Sequence, residues 1–361
     1  MIYFIVYAIL FAFAYYNVYS DNRKNIDNLF IAGIIIVVLL IGLRWEIGTD
    51  WRNYYAYFVN CKDIYETSFE LGYVAINKII RTLTDQYTIF LLLHSIFVFG
   101  LIGYFMSRYS QFPILSFALM FALMFGYIGM NRQYISIAFS LFSLQYVIQR
   151  RPVPFLVCTL LATLFHLTGL IFAITYFLNR PFSRRLYLIV LGFGLLIMAS
   201  GIVKLVPAEL FYGLGANMED KADAYIMKDT TDLSTATILV GIVKRSVWIV
   251  FALIYYDSFK KERDFPLFFN IYVISMFFFL ALANTPLQVI ISRGLLSFNI
   301  MEVFIIPYIV LVFKDNSTRK IFLLLLFIYG IFLIDKSINN YAETLNQDIF
   351  NPYRCVLFTT K

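Results

Sequence analysis

The chain has 361 residues, 61% of them hydrophobic and 14% charged, with 39 Phe and 27 Tyr and a mean hydropathy of +0.77. That composition excludes a soluble domain and points to an all-α polytopic integral membrane protein. A formal charge of +7 does not mark nucleic acid, because most basic residues sit in short connections between apolar runs, where they set topology.

Apolar runs able to span fall at 1–19, 28–43, 86–107, 112–129, 131–148, 186–206, 235–256, 265–283, 287–313 and 320–334. Residues 1–19 lack a basic leading segment and read as a retained span, not a cleaved signal. Arg23-Lys24, Arg108, Arg150-Arg151, Arg180 with Arg184-Arg185, Lys260-Lys261 with Arg263, and Lys314 with Arg319-Lys320 are expected on the cytoplasmic side. Residues 152–178 then lie between two cytoplasmic loops. We read them as a hairpin of two short helices, 153–166 and 168–178, turning near His166-Leu-Thr-Gly169. Its arms reach about 21 and 17 Å, short of a full bilayer, so they must be re-entrant or sheltered by protein.

The total is about 11 to 12 transmembrane or re-entrant helices in one membrane domain, 1–361. Outer loops at 44–86 and 207–234 carry interfacial helices, and an outer tail covers 336–361. Cys61, Cys158 and Cys355 lack metal-ligand spacing; Cys61 and Cys355 share a side, so a disulfide between them is conceivable.

The chemistry concentrates in Arg44–Phe58, RWEIGTDWRNYYAYF, directly after the apolar run to Leu43. Arg44 and Arg52 bracket Asp50, and a guanidinium fork suits phosphate oxygens. The alternative for Arg44 is snorkelling to the surface, and for Asp50 a salt bridge to Arg44 or Arg52. Arg132 opens a span after the corner Tyr127-Ile-Gly-Met130. A cation in a first helical turn opposes the helix dipole, so an anionic partner is expected there. His166 lies in an apolar run and is either a satisfied core histidine or a general base. His94 reads as structural. Arg293, Lys244 and Arg245 fall within membrane runs, where cations face a cavity or a partner. Glu302 is too far from Arg293 for a pair on one helix and could meet another span. There is no P-loop, dinucleotide loop, zinc spacing or serine elbow. Arginines are therefore the expected means of neutralising a departing phosphate, with no cofactor or metal.

Arg44…Gly48-Thr-Asp50…Tyr54, Glu70-Leu-Gly-Tyr73 with Asn77, Asn131-Arg-Gln133, Phe165-His166 and Asn351-Pro-Tyr353 occur in this order across most of the chain. Together they resemble the EpsG family, associated with Wzy-type polymerases of bacterial O-antigen, capsule and exopolysaccharide. His166 is followed by Leu167-Thr168, where that pattern has a small residue or proline and then Ser.

The resemblance implies a GT-C-like enzyme of the bacterial inner membrane with its site toward the periplasm. It would transfer a growing glycan from polyprenyl (undecaprenyl) pyrophosphate to the terminal sugar hydroxyl of a lipid-linked repeat unit. Within that reading Arg132, Arg293 and Arg44 hold pyrophosphate. His166, or else Asp50, serves as base, while Arg52, Tyr54, Tyr55, Trp51 and Arg245 contact substrate. Membrane lipids and a Wzz-type chain-length regulator are the implied partners. A lipid-linked glycan ligase or another polyprenyl-phosphate glycosyltransferase would use the same charges; a lipid-linked oligosaccharide flippase, the alternative of another class, would place its polar residues near the bilayer midplane and often shows repeated halves.

Overall fold

A computed structural model describes residues 1–61, 69–202, 235–283, 293–345 and 347–358. The expected outer loop 207–234 and residues 284–292 of the run 287–313 lie outside the described residues. Among the described residues the secondary structure is helical, apart from one antiparallel bridge between Arg44 and Cys355. Among the described residues six helices are long and apolar enough to cross a membrane, in line with the composition.

The described residues form two compact units, Met1–Leu170 with Ile306–Lys361, and Ile171–Ile305. The first unit opens with α1 (Ile2–Tyr19) and α2 (Arg23–Gly42). The Asn22 side chain accepts the Asn25 N–H and caps α2. Ile31, Ile35 and Leu39 of α2 are exposed along one stripe, as expected of a face against lipid tails. Two short amphipathic helices follow, α3 (Trp51–Asn60) and α4 (Leu71–Leu83), then the long α5 (Tyr87–Tyr109).

The run 112–129, expected as one span, is broken. Helix α6 covers Pro113–Leu123, a 3₁₀ turn covers Phe125–Tyr127, and Gly129 has φ +112°. Every residue of α6 from Pro113 to Ala122 is buried. A short, interrupted helix is tolerated at membrane depth when protein surrounds it. The break delivers the chain to α7 (Asn131–Ile148), which packs along α8 (Pro152–Phe165).

At His166 the chain turns extended (φ −158°, ψ 123°), and a 3₁₀ helix follows over Leu167–Leu178. A Cβ added to Gly169 would stand 2.8 Å from the Ala162 carbonyl carbon, so the chain doubles back directly after α8. The chain therefore turns at the position expected, His166-Leu-Thr-Gly169.

The second unit holds α9 (Arg184–Ser200), α10 (Thr235–Ile254), α11 (Tyr256–Phe259), α12 (Phe265–Leu282) and α13 (Leu296–Asn299). Helix α14 (Glu302–Val312) leads back into the first unit, where α15 (Asn316–Leu345) continues well past the expected end at 334. Its last turns lean on the 125–127 corner, with Ser337 against Gly126. The tail then returns to Arg44. Trp45 N–H donates to Arg354 O (2.9 Å), Val356 N–H to Leu43 O (3.0 Å), and the Tyr353 hydroxyl to Leu40 O (2.7 Å). Among the described residues no disulfide joins Cys61 to Cys355, which corrects the pairing considered above.

Candidate functional site

Two glycines build the site. Gly48 (φ +103°) and Gly129 (φ +112°) meet backbone to backbone. A Cβ on Gly48 would lie 2.3 Å from Ile128 O, and one on Gly129 would lie 2.8 Å from Thr49 N. Any side chain at either position would separate the Arg44–Asp50 corner from the corner that starts α7.

With those corners in contact, Asn131 becomes the junction. Its Oδ1 accepts from Arg44 Nη2 (2.7 Å), its Nδ2 donates to the Tyr87 hydroxyl (3.2 Å), and its carbonyl receives His94 Nε2–H (2.9 Å). A carbonyl can only accept, so His94 carries its proton on Nε2. Arg44 is 1% exposed and also donates from Nη1 to Ile41 O (2.6 Å). Burial pulls its pKa down, with the phenols of Tyr87, Tyr134, Tyr73 and Tyr353 opposing; a guanidinium stays charged regardless. Among the described residues no carboxylate pairs with it. A direct pyrophosphate contact, expected for Arg44, is not available to a side chain so enclosed. Its place is behind the α7 N-terminus, as a fixed positive charge that also holds Asn131.

Arg132, the next residue, is half-buried and turned outward from that junction. Its Nε donates to the Tyr54 hydroxyl (3.1 Å) and its Nη1 pairs with Glu70 Oε2. The guanidinium also lies over the Phe69 ring, 4.7 Å from the centroid. Among the described residues Nη2 has no acceptor. The anionic partner expected for a first-turn cation is therefore present as Glu70, at the N-cap of α4. Burial pushes the Tyr54 phenol above its ordinary range; Arg132 pulls it down, and the charges of Asp50 and Glu70 push it up.

His166 reaches the same neighbourhood through packing. A Cβ on Gly169 would stand 2.9 Å from Ser136 Oγ, and Ser136 is one helical turn beyond Arg132 on the same face. A Cβ on Gly72 would stand 2.8 Å from Leu164 O, which seats α4, two residues after Glu70, against the last turn of α8. The half-buried imidazole has its Nδ1 2.7 Å from Thr168 Oγ1 and 3.4 Å from the Thr168 main-chain nitrogen.

The remaining expected residues divide. Asp50 stands, half-buried, at the N-cap position of α3 without a side-chain capping bond, while Arg52 is exposed. Trp51 (4% exposed) and Tyr54 (3%), both expected to contact substrate, are packed inward and present little ring surface outward. Tyr55 stacks on Trp51 at 4.9 Å and is half-buried. Arg293 and Arg245 belong to the second unit. There Arg245 donates to Asn299 Oδ1 (3.3 Å) and Gly241 O (3.1 Å) and lies over Phe279, while Glu302 accepts from the Tyr272 hydroxyl (3.0 Å) on α12. Sequence reasoning left Glu70, Asn131 and Tyr87 without individual roles. Among the described residues no three His, Cys, Asp or Glu side chains converge as a metal set would.

A sequence model of the EpsG family matches residues 27–355. No curated protein and no solved structure matches the chain.

Proposed function

The chain belongs to the EpsG family, which is associated with Wzy-like polymerases of surface polysaccharide, and from that membership we propose a membrane glycosyltransferase that elongates a lipid-linked glycan. The donor is a growing glycan on polyprenyl (undecaprenyl) pyrophosphate. The acceptor is the terminal sugar hydroxyl of a lipid-linked repeat unit. The acceptor oxygen bonds to the anomeric carbon, the bond from that carbon to the pyrophosphate oxygen breaks, and the electron pair departs with the pyrophosphate. The hydroxyl proton passes to a base, for which Asp50 and His166 are the candidates.

Arg132 meets the departing charge through its Nη2 edge, and the buried Arg44 adds a second, fixed positive charge from behind. Preorganised cations that need no rearrangement during the reaction are an effective way to stabilise charge developing on a leaving group. The reading is carried by one observation: Arg44, Asn131, Arg132, Tyr54 and Glu70 converge on one helix start, beside the His166 turn. It rests on residues of the first unit alone. The bacterial inner membrane, a site open to the periplasm and a Wzz-type regulator as partner belong to the same proposal.

The test is incubation of the purified full chain in lipid nanodiscs with a lipid-linked repeat unit, with chelator present. A ladder of elongated products is expected, and Arg132→Ala abolishes it. An undiminished ladder from Arg132→Ala would reject the assignment.

A further inference from the structure

Independently of the transferase reading, we propose that the groove between α1 and α15 binds one anionic phospholipid, with an acyl chain against Ala8 and Ala12 and the phosphate on Lys320. The two helices run antiparallel and are pinned together at two levels. At one end the Arg319 guanidinium lies over the Tyr19 ring, 6.0 Å from its centroid. Further in, the Tyr7 hydroxyl donates to Leu326 O (3.2 Å) and lies against Gly330, while the Tyr7 ring stacks on Phe327 at 5.6 Å. Between the pins α1 presents only the small, exposed side chains of Ala8 and Ala12, one turn apart on one face. Their missing bulk leaves a groove of about 300 Å³, walled by Phe11, Leu324 and Phe327.

An unfilled groove along a packed helix pair forfeits dispersion contacts until something of matching shape occupies it. Apart from Tyr15 and Lys320 its lining is apolar, which suits hydrocarbon. Depth identifies the hydrocarbon. Lys320 is about 6 Å inside the start of α15, and Phe327 is about 10 Å further along. The groove therefore stays within one leaflet of a hydrocarbon core about 30 Å thick. That is the reach of a bilayer phospholipid whose headgroup sits at the Lys320 end.

The mouth selects the headgroup. Arg319 and Lys320 are consecutive cations with different duties. Arg319 is half-buried and donates from Nε to Phe313 O (2.9 Å), which ties it to the fold. Lys320 lines the groove, is exposed, and among the described residues forms no ion pair. The acid before it, Asp315, is occupied by the Thr318 N–H (2.7 Å) and hydroxyl (2.9 Å) at the helix start. Residues 20–27 and 314–320, at this end of the two helices, hold five basic residues against three acidic ones. An anionic headgroup gains from that field, whereas a zwitterionic one brings its own ammonium to the same place.

The test uses the purified full chain in mild detergent with equimolar phosphatidylglycerol and phosphatidylcholine of matched chains. Native mass spectrometry reads the lipids retained, and no turnover is needed. One phosphatidylglycerol is expected to be retained about fivefold over phosphatidylcholine, the scale of one basic residue near a lipid surface. Lys320→Gln, a change at an exposed site, is expected to erase that preference. Ala12→Trp fills the groove and is expected to lower retention of both lipids; should it not fold, Ala8→Leu fills the same space with less bulk. Equal retention of the two lipids by the wild type, a preference that survives Lys320→Gln, or unchanged retention in the filled variants overturns the proposal. Lys320-dependent displacement of phosphatidylglycerol by undecaprenyl phosphate also overturns it, because the groove would then hold a polyprenyl carrier and not a bilayer phospholipid.

Discussion

Asn131→Leu removes the junction while keeping the branching and heavy-atom count of the side chain. Two bonds go with it: the charge-assisted one from Arg44 Nη2 at 2.7 Å and the neutral one to the Tyr87 hydroxyl at 3.2 Å. Charge-assisted bonds contribute about 1.5–3 kcal/mol and neutral ones about 0.5–1.5, so a loss of about 2–4 kcal/mol is expected. Arg44→Met removes the buried guanidinium from the other side of the same contact. Combined, the two substitutions should cost less than their sum, because the second finds the bond already gone. The expected coupling is about 1.5–3 kcal/mol. Reversible unfolding in mixed lipid–SDS micelles measures all four corners of the cycle. Additivity to within about 0.5 kcal/mol would refute the Arg44–Asn131 junction.

Glu70→Gln frees Arg132 from its resident anion, so inorganic pyrophosphate should bind about three to ten times more tightly by calorimetry, the scale of one charge contact near a surface. Unchanged or weaker binding would mean that Arg132 does not face an anion site. Gly129→Ala forces a Cβ into a positive-φ corner and against Thr49 N. A cost of about 1–3 kcal/mol from the backbone alone, together with lost turnover, is expected from unfolding and polymerisation assays. Tyr353→Phe deletes the bond to Leu40 O and should lower stability by about 0.5–1.5 kcal/mol while leaving the chemistry measurable.

The membrane class and most spans were legible because twenty-residue apolar runs have few alternatives. The turn at His166 was expected for a different reason: basic loops on both sides of 152–178 argue for an even number of passes. The break after Leu123 was not. Met124 to Ile128 is as apolar as the helix before it, and nothing in hydropathy separates a lipid-facing helix from one enclosed by protein. Gly126 and Gly129 were the available signal. Arg44 was singled out correctly as unusual, yet its burial depends on a tail more than 300 residues away, where Tyr353 and Cys355 meet Leu40–Arg44. Trp51 and Tyr54 look like interface aromatics by type; the helical spacing that turns both inward against Tyr87 and Tyr73 becomes decisive only once those neighbours are placed. Glu70 stood among the motif residues, but its pairing with Arg132 spans 62 positions and leaves no local trace.

The most direct measurement is the stoichiometry of release: polyprenyl pyrophosphate freed against glycosidic linkages formed by the purified chain, with chelator present. One pyrophosphate lipid per linkage is the expected result, with both falling together in Arg132→Ala. Lipid-linked units that cross the bilayer intact, with no polyprenyl pyrophosphate released, would make the protein a transporter and contradict the transferase reading.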